Sequence, residues 1–231
     1  MNIHSFAPGV MSRHASDHHS DRRRQEERRS TILDAFEHCI VRTGFHRTTM
    51  QDVATEASMS VGNLYRYFDS KEALVSGMIE RDRERLRADF ALASEAPDQL
   101  GAIQALGRKH FVEEPRERSM QILEIWAEAT HNPKVAEMCL SIESECASKL
   151  MELLDRAVAS GQIQPQLDTY TIVEIIMAIG DGMFRRRAMD PTFDAEEGFR
   201  QTFLVLELLL NKRPETTHSS SALTAPVRIS V

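Results

Sequence analysis

The sequence predicts an all-α chain in two parts, a three-helix N-terminal head joined to a larger helical bundle. Three observations carry that prediction. Apolar residues recur at helical spacing through most of the chain, no run alternates with period two, and Gly and Pro number only 10 and 8 in 231 residues, few enough for long helices with sparse turns. Apolar residues at 42% and charged residues at 27% are ordinary globular proportions and exclude wholesale disorder. The net charge of −7 excludes a whole surface coated for nucleic acid. It does not exclude a local cationic face: residues 1–21 carry −1, residues 22–75 carry +1 and residues 76–231 carry −7. No apolar run approaches the ~18 residues of a membrane span, and no secretory leader is evident. Three cysteines, Cys39, Cys139 and Cys146, form no disulfide framework and suit a reducing cytoplasm.

The elements follow in order. Residues 1–25 are polar, aperiodic and rich in His, Ser and Arg, which reads as a disordered tail. Ile32, Phe36, Cys39 and Ile40 then repeat at i, i+4, i+7 and i+8, one buried helical stripe, and Gly44 ends that helix. Thr48 and Gln51 have capping-box spacing for a short second helix with Met50, Val53, Ala54 and Ala57 inward. Ser58-Met59-Ser60 is a tight turn. Ser60 caps a brief third helix, Val61 to Phe68, and Ser70-Lys71-Glu72 opens a long one to about Ala93. Further helices are expected over 99–113, 117–131, 134–160, 168–187 and 194–212, punctuated by Pro115, Asn132-Pro133, Gly161, Asp190-Pro191 and Pro214. Residues 214–231 read as a second disordered tail.

Two short helices joined by a three-residue turn make a helix-turn-helix over 49–68. At 100° per residue, Val61, Leu64, Tyr65 and Phe68 point inward together, leaving Gly62, Asn63 and Arg66 outward. A small residue, an amide and a guanidinium suit a helix that reads DNA. Backbone can approach phosphate where bulk is absent, and Arg and Asn make bidentate bonds to guanine and adenine edges. Tyr67 on the flank and the Tyr65 hydroxyl at the edge can reach phosphates. The helix starts at Thr48, Thr49 and Ser60 offer free N–H groups, and Lys71 adds a point charge.

The runs Thr48-Thr49-Met50-Gln51-Asp52-Val53-Ala54 and Ser60-Val61-Gly62-Asn63-Leu64-Tyr65-Arg66-Tyr67-Phe68-Asp69-Ser70-Lys71-Glu72-Ala73-Leu74, with Gly44-Phe45 before them, resemble the DNA-binding head of TetR-family repressors. The resemblance covers residues 26–86. Met59 stands where that family more often has Gly-Val, and Met50 stands at a position that is often polar. The resemblance implies a non-enzymatic, cytoplasmic, homodimeric repressor that binds a palindromic double-stranded operator. It implies that residues 87–213 form a ligand-binding and dimerisation domain, where a small-molecule effector releases the repressor. No cofactor and no membrane partner are implied. A ligand-independent activator or a global DNA-binding regulator is the alternative reading.

Within 87–213, Phe199, Phe203, Leu206 and Leu210 step by 4, 3 and 4, a seam for another helix, and Ile172, Ile175, Ile176, Ile179 and Met183 make a similar face. Gly180 and Gly182 allow close approach. These faces are expected at a four-helix dimer interface, the other reading being that both pack inside one subunit. His110, Trp126, Met177 and Asp181 are candidate ligand contacts, though for each of them ordinary core is the favoured reading. Arg22, Arg23, Arg24, Arg28 and Arg29 are open to two readings, an arm for the minor groove or a solvated leader broken by Glu26 and Glu27. Arg185-Arg186-Arg187 reads as dipole compensation at a helix end. His4, His14, His18 and His19 lack metal-ligand spacing, and no metal is expected. Cys139 and Cys146, seven residues apart, are read as small buried apolar groups. No Ser/His/Asp set, Gly-rich phosphate loop or Glu-x-x-His pair suggests catalysis.

Overall fold

Helices dominate because the apolar stripes have helical period and most helix starts carry a capping side chain. The computed structural model describes the backbone of residues 11–210 and side chains from residue 21 onward; the expected tail at 214–231 and the histidine side chains at 4, 14, 18 and 19 lie outside the described residues. The helices are α1 (Met11–Thr43), α2 (Met50–Glu56), α3 (Val61–Leu64), α4 (Lys71–Glu95), α5 (Gln99–Arg108), α6 (Arg116–Ala129), α7 (Pro133–Ala159), α8 (Thr169–Met189) and α9 (Ala195–Leu209). A single π-helical turn, Lys109–Glu113, follows α5. No strand occurs among the described residues.

The expected stripe of α1 is fully buried at Ile32, Phe36, Cys39 and Ile40. Gly44 ends the helix at φ +82°, donating its N–H to the Ile40 carbonyl at 2.9 Å. The start of α1 corrects the sequence reading: residues 11–25 are helical, not an irregular tail. Charge pairs one turn apart supply local support there, Arg23 with Glu27 at 3.4 Å and Arg24 with Asp21 at 3.8 Å. Helix ends elsewhere fall within a few residues of their expected places. The exceptions are α3, which ends at Leu64 and not at Phe68, and the segment expected to run to 113, which loses α-helical pitch after Arg108.

Two buried clusters result. The head cluster joins α1, α2, α3 and the first half of α4 through Leu33, Phe36, Val53, Leu64, Phe68, Leu74 and Met78. Met50 and Met59, the two departures from the family pattern, pack against it. The same cluster takes in Ile125 of α6 and Val135 and Cys139 of α7, so the head is not walled off from the bundle. The second cluster fills the bundle between α5, α7, α8 and α9. Helix α4 runs unbroken from one cluster into the other.

Candidate functional site

The head presents α2 and α3 across a turn whose Ser58 sits at φ +54°. The N-cap of α2 is Thr49, not Thr48: its hydroxyl accepts from the Asp52 N–H at 3.2 Å, and the Asp52 carboxylate accepts from the Thr49 N–H at 2.9 Å. Thr48, expected at a phosphate, is 1% exposed. Its hydroxyl donates to the Gly44 carbonyl at 2.9 Å and lies 3.0 Å from the Thr43 hydroxyl, so it locks the loop internally. The two hydrogen bonds from Thr49 hold the Asp52 carboxyl below its usual range.

Ser60 caps α3 as expected, accepting from the Asn63 N–H at 3.2 Å. The helix is shorter than the sequence suggests. After Leu64 the chain tightens, with Tyr67 N–H donating three residues back to Leu64 at 2.9 Å and Arg66 N–H to Asn63 at 3.2 Å. That tightening exchanges the two tyrosines. Tyr67 is half-buried against the head core, while Tyr65, expected inward, is 51% exposed. Gln51, Ser60, Gly62 and Arg66 are exposed, and Asn63 is half-buried. Arg66 makes no ion pair and Asn63 no side-chain hydrogen bond among the described residues.

Gly62 is informative because nothing inside the chain requires it. A Cβ added there would meet no atom within 4 Å. By contrast a Cβ at Gly77 would come within 2.8 Å of the Phe68 ring. Glycine costs a helix about 0.5–1 kcal/mol relative to alanine, and that cost at Gly62 has no internal return.

Lys71, expected at DNA, and Arg29, from the run open to two readings, both hold the head together. Lys71 donates to the Phe45 carbonyl at 3.0 Å and sits 4.4 Å from the centre of the Phe45 ring. Arg29 donates to the Tyr67 carbonyl at 3.0 Å and covers the Phe68 ring at 4.3 Å. The remaining N-terminal arginines project from a regular helix, not from the extended chain that a minor-groove arm requires. On the bundle side, the Glu124 carboxylate of α6 accepts from the Phe45 N–H at 2.8 Å. Arg81 of α4 binds Asp34 at 2.6 Å and also Glu37, both on α1.

Comparison with known proteins agrees with this geometry. Residues 32–78 match the family model described as bacterial regulatory proteins, tetR family, and residues 102–210 match the BetI-type transcriptional repressor C-terminal model. The transcriptional repressor KstR of Mycolicibacterium smegmatis is 34% identical over 157 residues, covering 66% of this chain and 72% of KstR. The regulator UidR of Escherichia coli K12 is 28% identical over 159 residues, 67% of this chain and 79% of UidR. The solved structure of Salmonella enterica GusR superposes with a TM-score of 0.69 at 27% identity, over 80% of this chain and 96% of that one.

The chain belongs to the TetR family. It is a helix-turn-helix transcriptional regulator of that non-enzymatic family. No described helix is long and apolar enough to cross a membrane.

In this TetR-family bundle, α4 to α9 enclose a cavity of about 280 Å³. All four residues proposed from sequence as ligand contacts, His110, Trp126, Met177 and Asp181, line it. Trp126 stands edge-on to Phe184, with ring centres 6.2 Å apart, and Phe184 lies 4.9 Å from Phe111. His110 sits between carboxylates, 3.2 Å from Glu114 and 3.5 Å from Asp89. The charged end of the wall is Arg118 of α6, which binds Asp82 at 2.5 Å and approaches Glu114 at 3.7 Å and Glu37 at 4.0 Å. Sequence reasoning missed Phe184 and Glu143 as wall residues, because each looks like any other half-apolar helix position.

The expected dimer seam needs correction. Ile172, Met183, Phe199, Phe203, Leu206 and Leu210 are buried within one subunit, with Ile176 and Ile179 packed against them. Several also line the cavity, among them Ile176, Ile179, Met183, Phe199, Phe203 and Leu206. The face is covered inside the bundle, where α8 packs on α6 and α7 and α9 packs on α8 and α5. Left outward on α9 are Leu204, Val205 and Leu208, 52%, 49% and 69% exposed, and on α8 Ala178, Met189 and the unobstructed Gly182. Gly180 faces inward instead, where a Cβ would come within 3.1 Å of the Phe111 ring.

At the end of α8, Arg187 reaches away from its own helix to the Val112 carbonyl at 3.2 Å. The last carbonyls of α8 are instead satisfied by Arg116 of α6, which donates to Arg187 at 3.0 Å and to Ala188. The three thiols stay protonated. Burial pushes Cys139 and Cys146 up to about 11, helped by the nearby charge of Glu143, and burial raises Cys39 as well.

Proposed function

We propose that this regulator acts in the cytoplasm as a homodimeric repressor. Its paired heads read a two-fold symmetric operator, and a small molecule in the bundle cavity releases it. The observation that carries the DNA reading is Gly62. It stands on the outward face of α3 with no internal reason to be glycine, flanked by Asn63 and by the uncommitted guanidinium of Arg66. A backbone kept bare beside an amide and a free cation fits close approach to a phosphate, with Arg66 and Asn63 aimed at base edges. Thr49, Gln51, Ser60 and Tyr65 complete the contact face. Thr48, Tyr67 and Lys71 support it from inside.

The dimer forms through the outer faces of α8 and α9, where Leu204, Val205 and Leu208 lie beside small residues that let helices approach. The cavity supports the effector reading by its volume and aromatic wall. Met78, Ile79, Ile125 and Cys139 belong to both that wall and the head core, which gives occupancy a route to the DNA face.

Selection of bound duplexes from random sequence should return a palindrome. On that site the Arg66→Ala/Asn63→Ala variant should lose affinity and base preference, with Arg66→Ala alone costing about 1–3 kcal/mol. Undiminished affinity of the double variant would refute the assignment of the reading face.

A further inference from the structure

The cavity wall has an unbalanced charge. Its cations are committed at one end: Arg118 to Asp82 at 2.5 Å, and Arg85 also near Asp82, at 4.0 Å. Two further carboxylates, Glu143 of α7, half-buried, and Asp181 of α8, still open to solvent, line the same cavity from different helices. Neither has a hydrogen bond or an ion pair among the described residues. Asp181 lies one residue from Gly180, whose Cα face meets the Phe111 ring, and one helical turn before Phe184. The carboxylates and the aromatic cluster of Phe111, Phe184 and Trp126 thus line one cavity.

This is an apolar chamber with rings on one side and uncompensated negative charge on another. Each ligand class meets it differently. An anion would face two like charges with the wall's arginines already paired. A neutral apolar molecule would bury the carboxylates further from water without offering them a partner, which is costly. An organic cation offers both carboxylates a counter-charge and presents its alkyl or aryl body to the rings, whose faces attract cations. We propose that the effector is a lipophilic organic cation, an amine or quaternary ammonium carrying an apolar body, bound between Glu143, Asp181 and the aromatic cluster.

The proposal rests on the effector reading of the cavity and narrows it to one chemical class. Electrostatics point the same way: burial raises both carboxyls above their ordinary range, and the charge of Asp181 adds to the rise at Glu143. A bound cation relieves that burden.

The test uses the full chain and its single tryptophan, which lies in the cavity wall and reports occupancy by fluorescence. Three probes of similar size are titrated, with melting temperature as a second readout: phenyltrimethylammonium, its neutral isostere tert-butylbenzene, and benzenesulfonate. The cation should bind at least about tenfold more tightly than either. In the Glu143→Gln/Asp181→Asn variant that preference should vanish while tert-butylbenzene binding is unchanged. The neutral probe thereby certifies that the variant keeps its cavity. Binding of benzenesulfonate as tightly as the cation would overturn the cationic class and leave the effector reading standing. An undiminished cation preference in the double variant would overturn the role of the two carboxylates. Silence from all three probes in both readouts would overturn the proposal and the effector reading together.

Discussion

Replacing Leu208 by glutamate is the sharpest probe of the proposed dimer. Leu208, Leu204 and Val205 are 69%, 52% and 49% exposed in the single subunit. Full burial of such a side chain is worth about 1.5–3 kcal/mol, so covering the exposed fractions is worth about 1–2 kcal/mol each. Two-fold symmetry counts each residue twice, giving about 6–12 kcal/mol gross from three positions. A micromolar dimer needs about 8 kcal/mol, so these residues are sufficient anchors before association entropy is charged against them. Leu208→Glu removes about 2–4 kcal/mol of that total and places like charges across the axis. The dimer dissociation constant should rise by a factor of about 100 or more. Sedimentation equilibrium measures it directly, and binding to a two-half-site operator should weaken in step while the melting of the monomer stays put. The corresponding glutamate at Phe203, inside the bundle, should unfold the subunit instead. A Leu208→Glu protein that remains dimeric with unchanged affinity would refute the outer-face interface.

Two further outcomes follow from local geometry. Gly62→Ala should raise stability by about 0.5–1 kcal/mol in denaturant titration, because the added methyl meets nothing in the protein, and should weaken operator binding in a mobility-shift assay; unchanged binding would show that the bare backbone at Gly62 serves no contact. The thiols of Cys139 and Cys146, with pKa pushed up to about 11, should alkylate slowly at neutral pH, and the rate should climb roughly tenfold per pH unit without levelling near the free-cysteine value of about 8.5, as iodoacetamide kinetics on the folded protein will show.

Much of the head was legible because its signals are local. A helical stripe at Ile32, Phe36, Cys39 and Ile40, a glycine stop at Gly44 and a serine cap at Ser60 each act within one or two turns, and each stands where its chemistry requires. The misreadings occur where two local solutions compete or where the partner is distant. Thr48 and Thr49 each have a capping-box acceptor three residues on, Gln51 and Asp52. The Thr48 hydroxyl is taken up by the Gly44 carbonyl and the Thr43 hydroxyl, which leaves Thr49 to start the helix. Tyr65 and Tyr67 exchange faces because the chain leaves 100° spacing after Leu64, a change no periodicity reveals. The seam of Phe199, Phe203, Leu206 and Leu210 was correctly apolar. A pattern states that a face is covered, not whether the cover comes from the same subunit. The cavity pairing of Glu143 with Asp181 joins helices 38 positions apart and leaves no trace in sequence spacing.

Coupling between cavity and head needs no separate device, because the two share side chains. Met78 and Ile79 stand on α4, Ile125 on α6 and Cys139 on α7, and all four face the head core and the cavity at once. Packed interiors deform little and transmit displacement, so a molecule that shifts the α6 or α7 wall shifts the floor on which α1 and α4 rest. Polar links reinforce the same junction. Arg118 reaches from the wall to Asp82 on α4 and toward Glu37 on α1, while Glu124, on the same helix as Arg118, holds the Phe45 N–H in the loop that leads to α2. Helix α6 therefore grips the head at two points while forming part of the cavity wall, and its position cannot respond to a ligand without moving the base of the DNA-reading face. A ligand changes operator affinity only in proportion to its preference between the two placements of that helix. Under the proposed release by a small molecule, that requirement singles out wall contacts on α6, α7 and α8 as the positions where effector chemistry is converted into release.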